Sequence, residues 1–195
     1  MQEFRSRQSA LTAKQRKEWR RNMEGIILEE RKRLGALLDT HTQAEVMEKI
    51  PQFWRAETDN FLSPPERVPP HLGVLMFNME RGVHLEEIRE FLQDCPAIRP
   101  FDLILANELD DGCARSGNRN TARELAEALG LNYAWGLEFI ELVNDENAKG
   151  FHGNAVFSRW PIRRAGVIRL PEQYNWYFDR QKRIGGRLAV FAQLE

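Results

Sequence analysis

The spacing of apolar residues changes character along the chain. In residues 1–62, Leu11, Trp19, Met23, Ile26 and Ile27 fall at loose helical intervals, and Gly35 or the Thr40–Thr42 region supplies an end for that helix. A second helical stretch is predicted over Ala44 to Phe61. The segment SPPERVPPH, Ser63 to His71, is too rich in proline for regular structure and reads as a linker. From Leu72 onward strands alternate with helices. LGVLMFN reads as a buried strand ending at Asn78, and FDLILANE as a second ending at Glu108. Between them HLEEIREFL carries Leu85, Ile88, Phe91 and Leu92 on one helical face. A further helix is predicted over Asn118 to Gly130, where Ala122, Leu125, Ala126 and Leu129 share a face and Gly130 suits the C′ position. YAWGLEFIEL, GNAVFS, AGVIRL and RLAVFAQL then read as consecutive strands. A βαβα opening followed by a run of strands predicts a layered α/β sandwich with a mixed sheet. The expected units are a helical extension (1–62), a linker (63–71) and the sandwich domain (72–195).

Composition narrows the setting. The 195 residues are 42% hydrophobic and 29% charged, enough to bury a core, and a net charge of −1 gives no bulk attraction to nucleic acid. Charge is local instead. Arg5, Arg7, Lys14, Arg16, Lys17, Arg20 and Arg21 make the start of the chain basic, opposed only by Glu3 and Glu18. Cys95 and Cys113 show no ligand-like spacing and read as reduced thiols, which together with a first stretch lacking an apolar signal core predicts a cytoplasmic protein. The longest compact apolar run, Leu72 to Phe77, is far shorter than the roughly 20 residues a bilayer span needs, so no membrane span is expected.

The informative pair is Asn78 and Glu108, each at the C-terminal end of an apolar strand, where open α/β sheets place their ligands. A carboxylate beside an amide oxygen offers hard oxygen donors suited to Mg²⁺. The same two residues also read as a helix cap and the start of a polar loop. ARSGNRN, Ala114 to Asn120, brings Arg115, Arg119 and backbone amides to a helix N-terminus, a setting for phosphate or an ordinary capped loop. His152 could donate to a phosphate oxygen or be a solvated loop histidine, and Asn154, between Gly153 and Ala155, is also compatible with turn chemistry.

Three segments together resemble a known family. LGVLMFNMERG is similar to the first motif of the endonuclease/exonuclease/phosphatase superfamily, FDLILANELD to its second, and GFHGNAVFSRWPI to its third, in family order and over residues 72–195. The resemblance implies a deoxyribonuclease-like sandwich in which Glu108 is the principal Mg²⁺ ligand (Mn²⁺ being an alternative ion) and Asn78 its neighbour. It also implies that Glu138, or in competition Glu141, orients a catalytic histidine, and that Arg187 contacts phosphate unless it is merely a solvated strand-end charge.

The chain departs from the family pattern in two places. Phe151 stands where the apurinic-site branch has tyrosine, which argues against abasic-site cleavage. Relatives continue with a strand ending in a catalytic histidine, a G-D-x-N motif and a terminal Asp-His pair, whereas this sequence ends at Gln193-Leu194-Glu195 and its four histidines, His41, His71, His84 and His152, all lie upstream. The expectation is therefore a truncated domain lacking its base. Its last strand, Leu188 to Leu194, has the near-continuous apolar character of a strand covered on both faces and invites self-association when uncovered. The implied function is a Mg²⁺-dependent phosphoester hydrolase, phosphodiesterase- or nuclease-like, acting on nucleic acid, a phospholipid head group or a sugar phosphate. The alternative is a catalytically inactive binding module whose basic N-terminus holds nucleic acid or an acidic partner.

Overall fold

A computed structural model describes residues 22–172, 175–178 and 181–195. The basic stretch singled out above and the first residues of its predicted helix, Leu11 and Trp19, lie outside the described residues. Four α-helices are described: α1 (Leu28–Ala36), α2 (Gln43–Met47), α3 (Leu85–Asp94) and α4 (Thr121–Leu129). Eight strands accompany them: β1 (Ala56–Asp59), β2 (Val74–Arg81), β3 (Leu103–Asp111), β4 (Asn132–Glu141), β5 (Phe151–Ser158), β6 (Ile162–Arg169), β7 (Arg183–Gly185) and β8 (Leu188–Leu194). No helix among the described residues is long and apolar enough to cross a membrane.

The local signals for helix ends operate as polar chemistry requires. The Thr42 hydroxyl and Glu45 carboxylate cap α2 reciprocally. The Asn120 side chain accepts from the Arg123 N–H at the start of α4, and Gly130 closes that helix with a left-handed φ of 60°.

Six strands form one mixed sheet in the order β1-β4-β5-β3-β2, with β7 continuing the β1 edge of β4. β2 and β3 run parallel, joined through α3, while β3–β5, β4–β5, β1–β4 and β4–β7 are antiparallel. One face carries Met79, Ile104, Ala106, Leu109, Trp135, Leu137 and Phe157 into a core closed by Leu85 and Leu92 of α3 and Ala122 and Leu125 of α4. The segment before the proline-rich stretch is continuous with this core: Leu34, Val46, Ile50 and Phe53 join the same buried cluster, and β1 is a strand of the same sheet. The helix expected over Ala44 to Phe61 is thus three pieces: α2, a 3-10 turn at Pro51–Trp54, and β1. Pro51 permits the 3-10 turn, and β1 hides its Glu57 by pairing rather than by exposing it.

The opposite face is covered over part of its width. β6 and β8 form a separate two-stranded antiparallel sheet, which stacks on β1, β4 and β5. A side chain at Gly136 would strike Val167 and Val190 of this layer, so glycine there sets how closely the sheets approach. Among the described residues no second layer covers β2 and β3 on this side. Val74, Met76 and Leu105 are 52%, 75% and 38% exposed, so β2 is half-exposed rather than a buried strand. β8 departs from expectation in the same way. It lies in the small layer with residues alternating in accessibility, and Phe191 faces outward, because a two-stranded sheet buries only the face laid against its neighbour.

Candidate functional site

Strand register breaks on three ladders at one level of the main sheet. The β2–β3 ladder breaks between Asn78 and Arg81, β3–β5 between Ala106 and Leu109, and β4–β5 between Leu137 and Phe139. On β3 two residues, Asn107 and Glu108, face the single residue Asn154 of β5. On β4, Glu138 is the extra residue where Leu137 and Phe139 pair with Gly153 and His152. Bulges redirect side chains and concentrate beside functional sites. Contrary to the expectation above, Asn78 and Glu108 do not end their strands; both sit where the strand is kinked and then continues.

Alternation along the strands puts Asn78, Asn107, Asp110, Phe139, His152 and Asn154 on the partly covered face. Glu108 has a left-handed φ of 58°, a conformation that costs a non-glycine residue of order 1–3 kcal/mol and persists only where its surroundings impose it. Its N–H donates to Asn154 Oδ1 at 3.2 Å. Its carboxylate is half-buried and has no hydrogen-bond or ion-pair partner among the described residues. Asn78 pairs across the ladder with Asn107, one residue from Glu108, and its Oδ1 accepts from the Glu80 N–H at 2.9 Å.

The β4 bulge holds the second part of the site. Glu138 is buried and accepts from Arg187 Nη1 at 2.9 Å, and the Arg187 guanidinium lies over the rings of Trp176 and Phe139. Arg169 of β6 fastens the small sheet to this bulge by donating to the carbonyls of Leu137, Gly186 and Phe53. Burial pushes its pKa down to about 9, opposed by the nearby Glu138 charge. Glu141 is also buried, but its partners are Arg183 at 2.7 Å and Arg115 at 3.2 Å.

Beside Asn154 on β5, His152 is buried, with Nδ1 2.8 Å from Asp110 Oδ1. Arg115 grips the same carboxylate through Nε and Nη2 at 2.6 and 2.9 Å. Burial pushes the Asp110 carboxyl up, but the bonds from Arg115 and His152 outweigh it and hold its pKa below the ordinary value. Asp110 was not among the candidates read from sequence. Its signal was the spacing Glu108-x-Asp110, which puts two carboxylates on one face of a strand.

Of the other candidate residues, Arg119 lies in the helical layer on the far side, donating to Glu124 at 2.6 Å and Glu86 at 2.9 Å. Register therefore sets Asn78, Glu108 and Asn154 beside one another across β2, β3 and β5, with His152 two residues along β5; Glu138 and Arg187 form a pair of their own at the β4 bulge, and Arg119 lies apart. Comparison with protein-family models, with characterised proteins and with solved structures finds no match for this chain.

Proposed function

We propose that this chain is a Mg²⁺-dependent phosphoester hydrolase with a deoxyribonuclease-like layered sandwich. The observation that carries this reading is Glu108: an ionisable side chain without a partner among the described residues, held in a strained bulge beside the amide of Asn78. Left-handed strain is costly at a non-glycine residue and is retained where the surroundings or a ligand impose it. Helices on one face of the sheet and a smaller sheet on the other support the architecture.

The donors fit one kind of ion. Among the described residues no three His, Cys, Asp or Glu side chains converge into a closed cage. Mg²⁺ needs no such cage, since it keeps several waters and takes one or two carboxylates. Glu108 would hold it, with Asn78 and its free lone pair alongside. Such an ion would supply charge to polarise a phosphoryl oxygen and to steady the leaving group. Arg187, half-exposed and paired with Glu138, would supply a contact to the phosphate of a nucleic acid, a phospholipid head group or a sugar phosphate.

The test is hydrolysis of bis(p-nitrophenyl) phosphate in the presence and absence of Mg²⁺, with Glu108→Gln as the comparison. The expected result is Mg²⁺-dependent turnover that falls about 100-fold in the variant, the scale of losing one positioned electrostatic group. Isothermal titration should show Mg²⁺ binding weakened in parallel. Turnover equal in the two proteins would remove Glu108 from the reaction. Turnover absent from both would favour the binding-module alternative.

A further inference from the structure

The proline-rich segment read above as a linker, Ser63 to His71, forms one wall of a cleft where β2 and β3 begin. We propose that this cleft binds a small organic phosphate, a phosphate monoester carried on a flat apolar body. It lies away from Glu108. Gly73 precedes Asn78 by five residues of extended chain, about 16 Å at the rise of a strand. Such a site would stand whether or not the chain is a hydrolase.

The cleft has a volume of about 310 Å³, and small-molecule sites run from about 300 to 1,000 Å³. Pro65, Pro69 and Pro100 give it stiff apolar sides, and the buried Trp160 lies in its wall. Its floor is locked. The Asp102 and Leu103 N–H groups donate to the Gly73 carbonyl at 2.8 and 3.1 Å, and the Gly73 N–H donates to Asp102 Oδ2 at 2.9 Å. A side chain at Gly73 would meet the Pro100 carbonyl oxygen at 2.7 Å, so the two strand starts lie in contact. The Arg159 N–H donates to the Asp102 carbonyl at 3.1 Å, which roots Arg159 at the rim.

Charge gives the cleft its preference. Arg67, His71 and Arg159 line it, against one acidic side chain, Asp102. That carboxylate is largely committed: Oδ2 accepts from Gly73, and Oδ1 receives Arg159 Nη1 at 3.4 Å. The Arg159 side chain is still 49% exposed, with the rest of its donors free for a ligand. Arg67 and His71 have no hydrogen-bond or ion-pair partner among the described residues. Two guanidinium forks present more donors than a carboxylate can accept, and suit the three outer oxygens of a phosphate monoester. The apolar walls suit a flat body attached to it. Arg159 also borders a neighbouring cleft of about 550 Å³, but there Arg99 is offset by Asp94.

The test titrates the full chain, without divalent metal, with adenosine 5′-monophosphate, adenosine and inorganic phosphate, following backbone amides by NMR. The monophosphate should bind with a Kd below about 1 mM and move the Gly73, Leu103 and Trp160 signals most. Adenosine and inorganic phosphate should each bind at least about tenfold more weakly. Arg67→Gln and Arg159→Gln should each weaken the monophosphate about tenfold, the scale of one hydrogen bond to a charged group. Arg67 is exposed, so its variant should fold, and it decides the matter with the wild-type shifts if Arg159→Gln does not. Shifts centred on Asn154, or affinity unchanged in Arg67→Gln, would overturn the site. Adenosine binding as tightly as the monophosphate would remove the phosphate, and equal binding of inorganic phosphate would remove the flat body. A short single-stranded oligonucleotide that binds these residues more tightly than the monophosphate would reassign the cleft to nucleic acid.

Discussion

Gly153→Ala is expected to destabilise the protein by more than about 4 kcal/mol, a size reserved for a few structural mechanisms. Gly153 lies in the middle strand of the sheet, where the indole of Trp135 crosses it to donate to the Leu109 carbonyl at 3.2 Å. A methyl group at this position would fall on the Gly136 carbonyl oxygen and 2.7 Å from the Trp135 ring. Neither neighbour is a flexible side-chain tip. Trp135 is fully buried, and the Gly136 backbone is trapped between β5 and the small sheet. Overpacking of this kind cannot relax locally. Set against a net domain stability of about 5–15 kcal/mol, it should appear as lost soluble yield or a fall in Tm of about 10 °C or more. Gly166→Ala is the internal control. Nothing lies within 4 Å of its added methyl group, and its Tm should stay within about 2 °C of wild type. Equal Tm values for the two variants would mean that Trp135 does not lie across Gly153.

Stability should also fall by about 2 kcal/mol as pH rises from 4 to 6, through Asp111. This side chain is 3% exposed, and burial pushes its pKa up to about 6, with Lys149 at 2.7 Å opposing and the Glu57 and Asp110 charges reinforcing the rise. A carboxyl raised in the folded state binds its proton more tightly there than in the unfolded chain. Its contribution to stability is therefore fully present below its ordinary value of 3.8 and lost as pH climbs through about 6. The size follows from roughly 1.4 kcal/mol for each tenfold change in proton affinity. Urea unfolding at several pH values should show the decline in wild type and its absence in Asp111→Asn, which has no proton to lose. Asp110, with its pKa held low, acts only at more acid pH and leaves the difference between the two proteins intact. Parallel profiles would show that Lys149 fully compensates the buried charge.

What was legible in the sequence was whatever depends on near neighbours. The apolar face of α3 follows from residues three and four apart, and the Gly130 cap from the left-handed backbone that glycine accepts. β1 was not legible because Glu57 and Asp59 look like solvent-facing positions. Glu57 is instead buried by bonds from the Met23 N–H, the Tyr133 hydroxyl and the Asn120 amide, partners that are distant in sequence. β2 misled in the opposite sense. Its apolar run suits a strand covered on both sides, yet the small sheet stops short of it. The site divided similarly. Asn78, Glu108, Asn154 and Arg187 were singled out by residue type and position. The bulges beside Asn78 and at Glu108 are properties of register between strands, and the pairing of Asp110 with His152 spans 42 residues.

A sheet covered across only part of its width also opens in a definite order. β4 is buried at all ten of its residues and β5 is flanked by strands on both sides, so their amides exchange only when the whole structure unfolds. Among the described residues β2 has a single neighbouring strand, an exposed face, and two left-handed residues, Glu80 and Arg81, at its end. Its opening should cost far less than global unfolding. Deuterium should therefore enter β2 first and β4 last, and the side of the site formed by Asn78 is the more mobile of the two, while the side formed by Asn154 and His152 stays fixed to the most protected strands in the molecule.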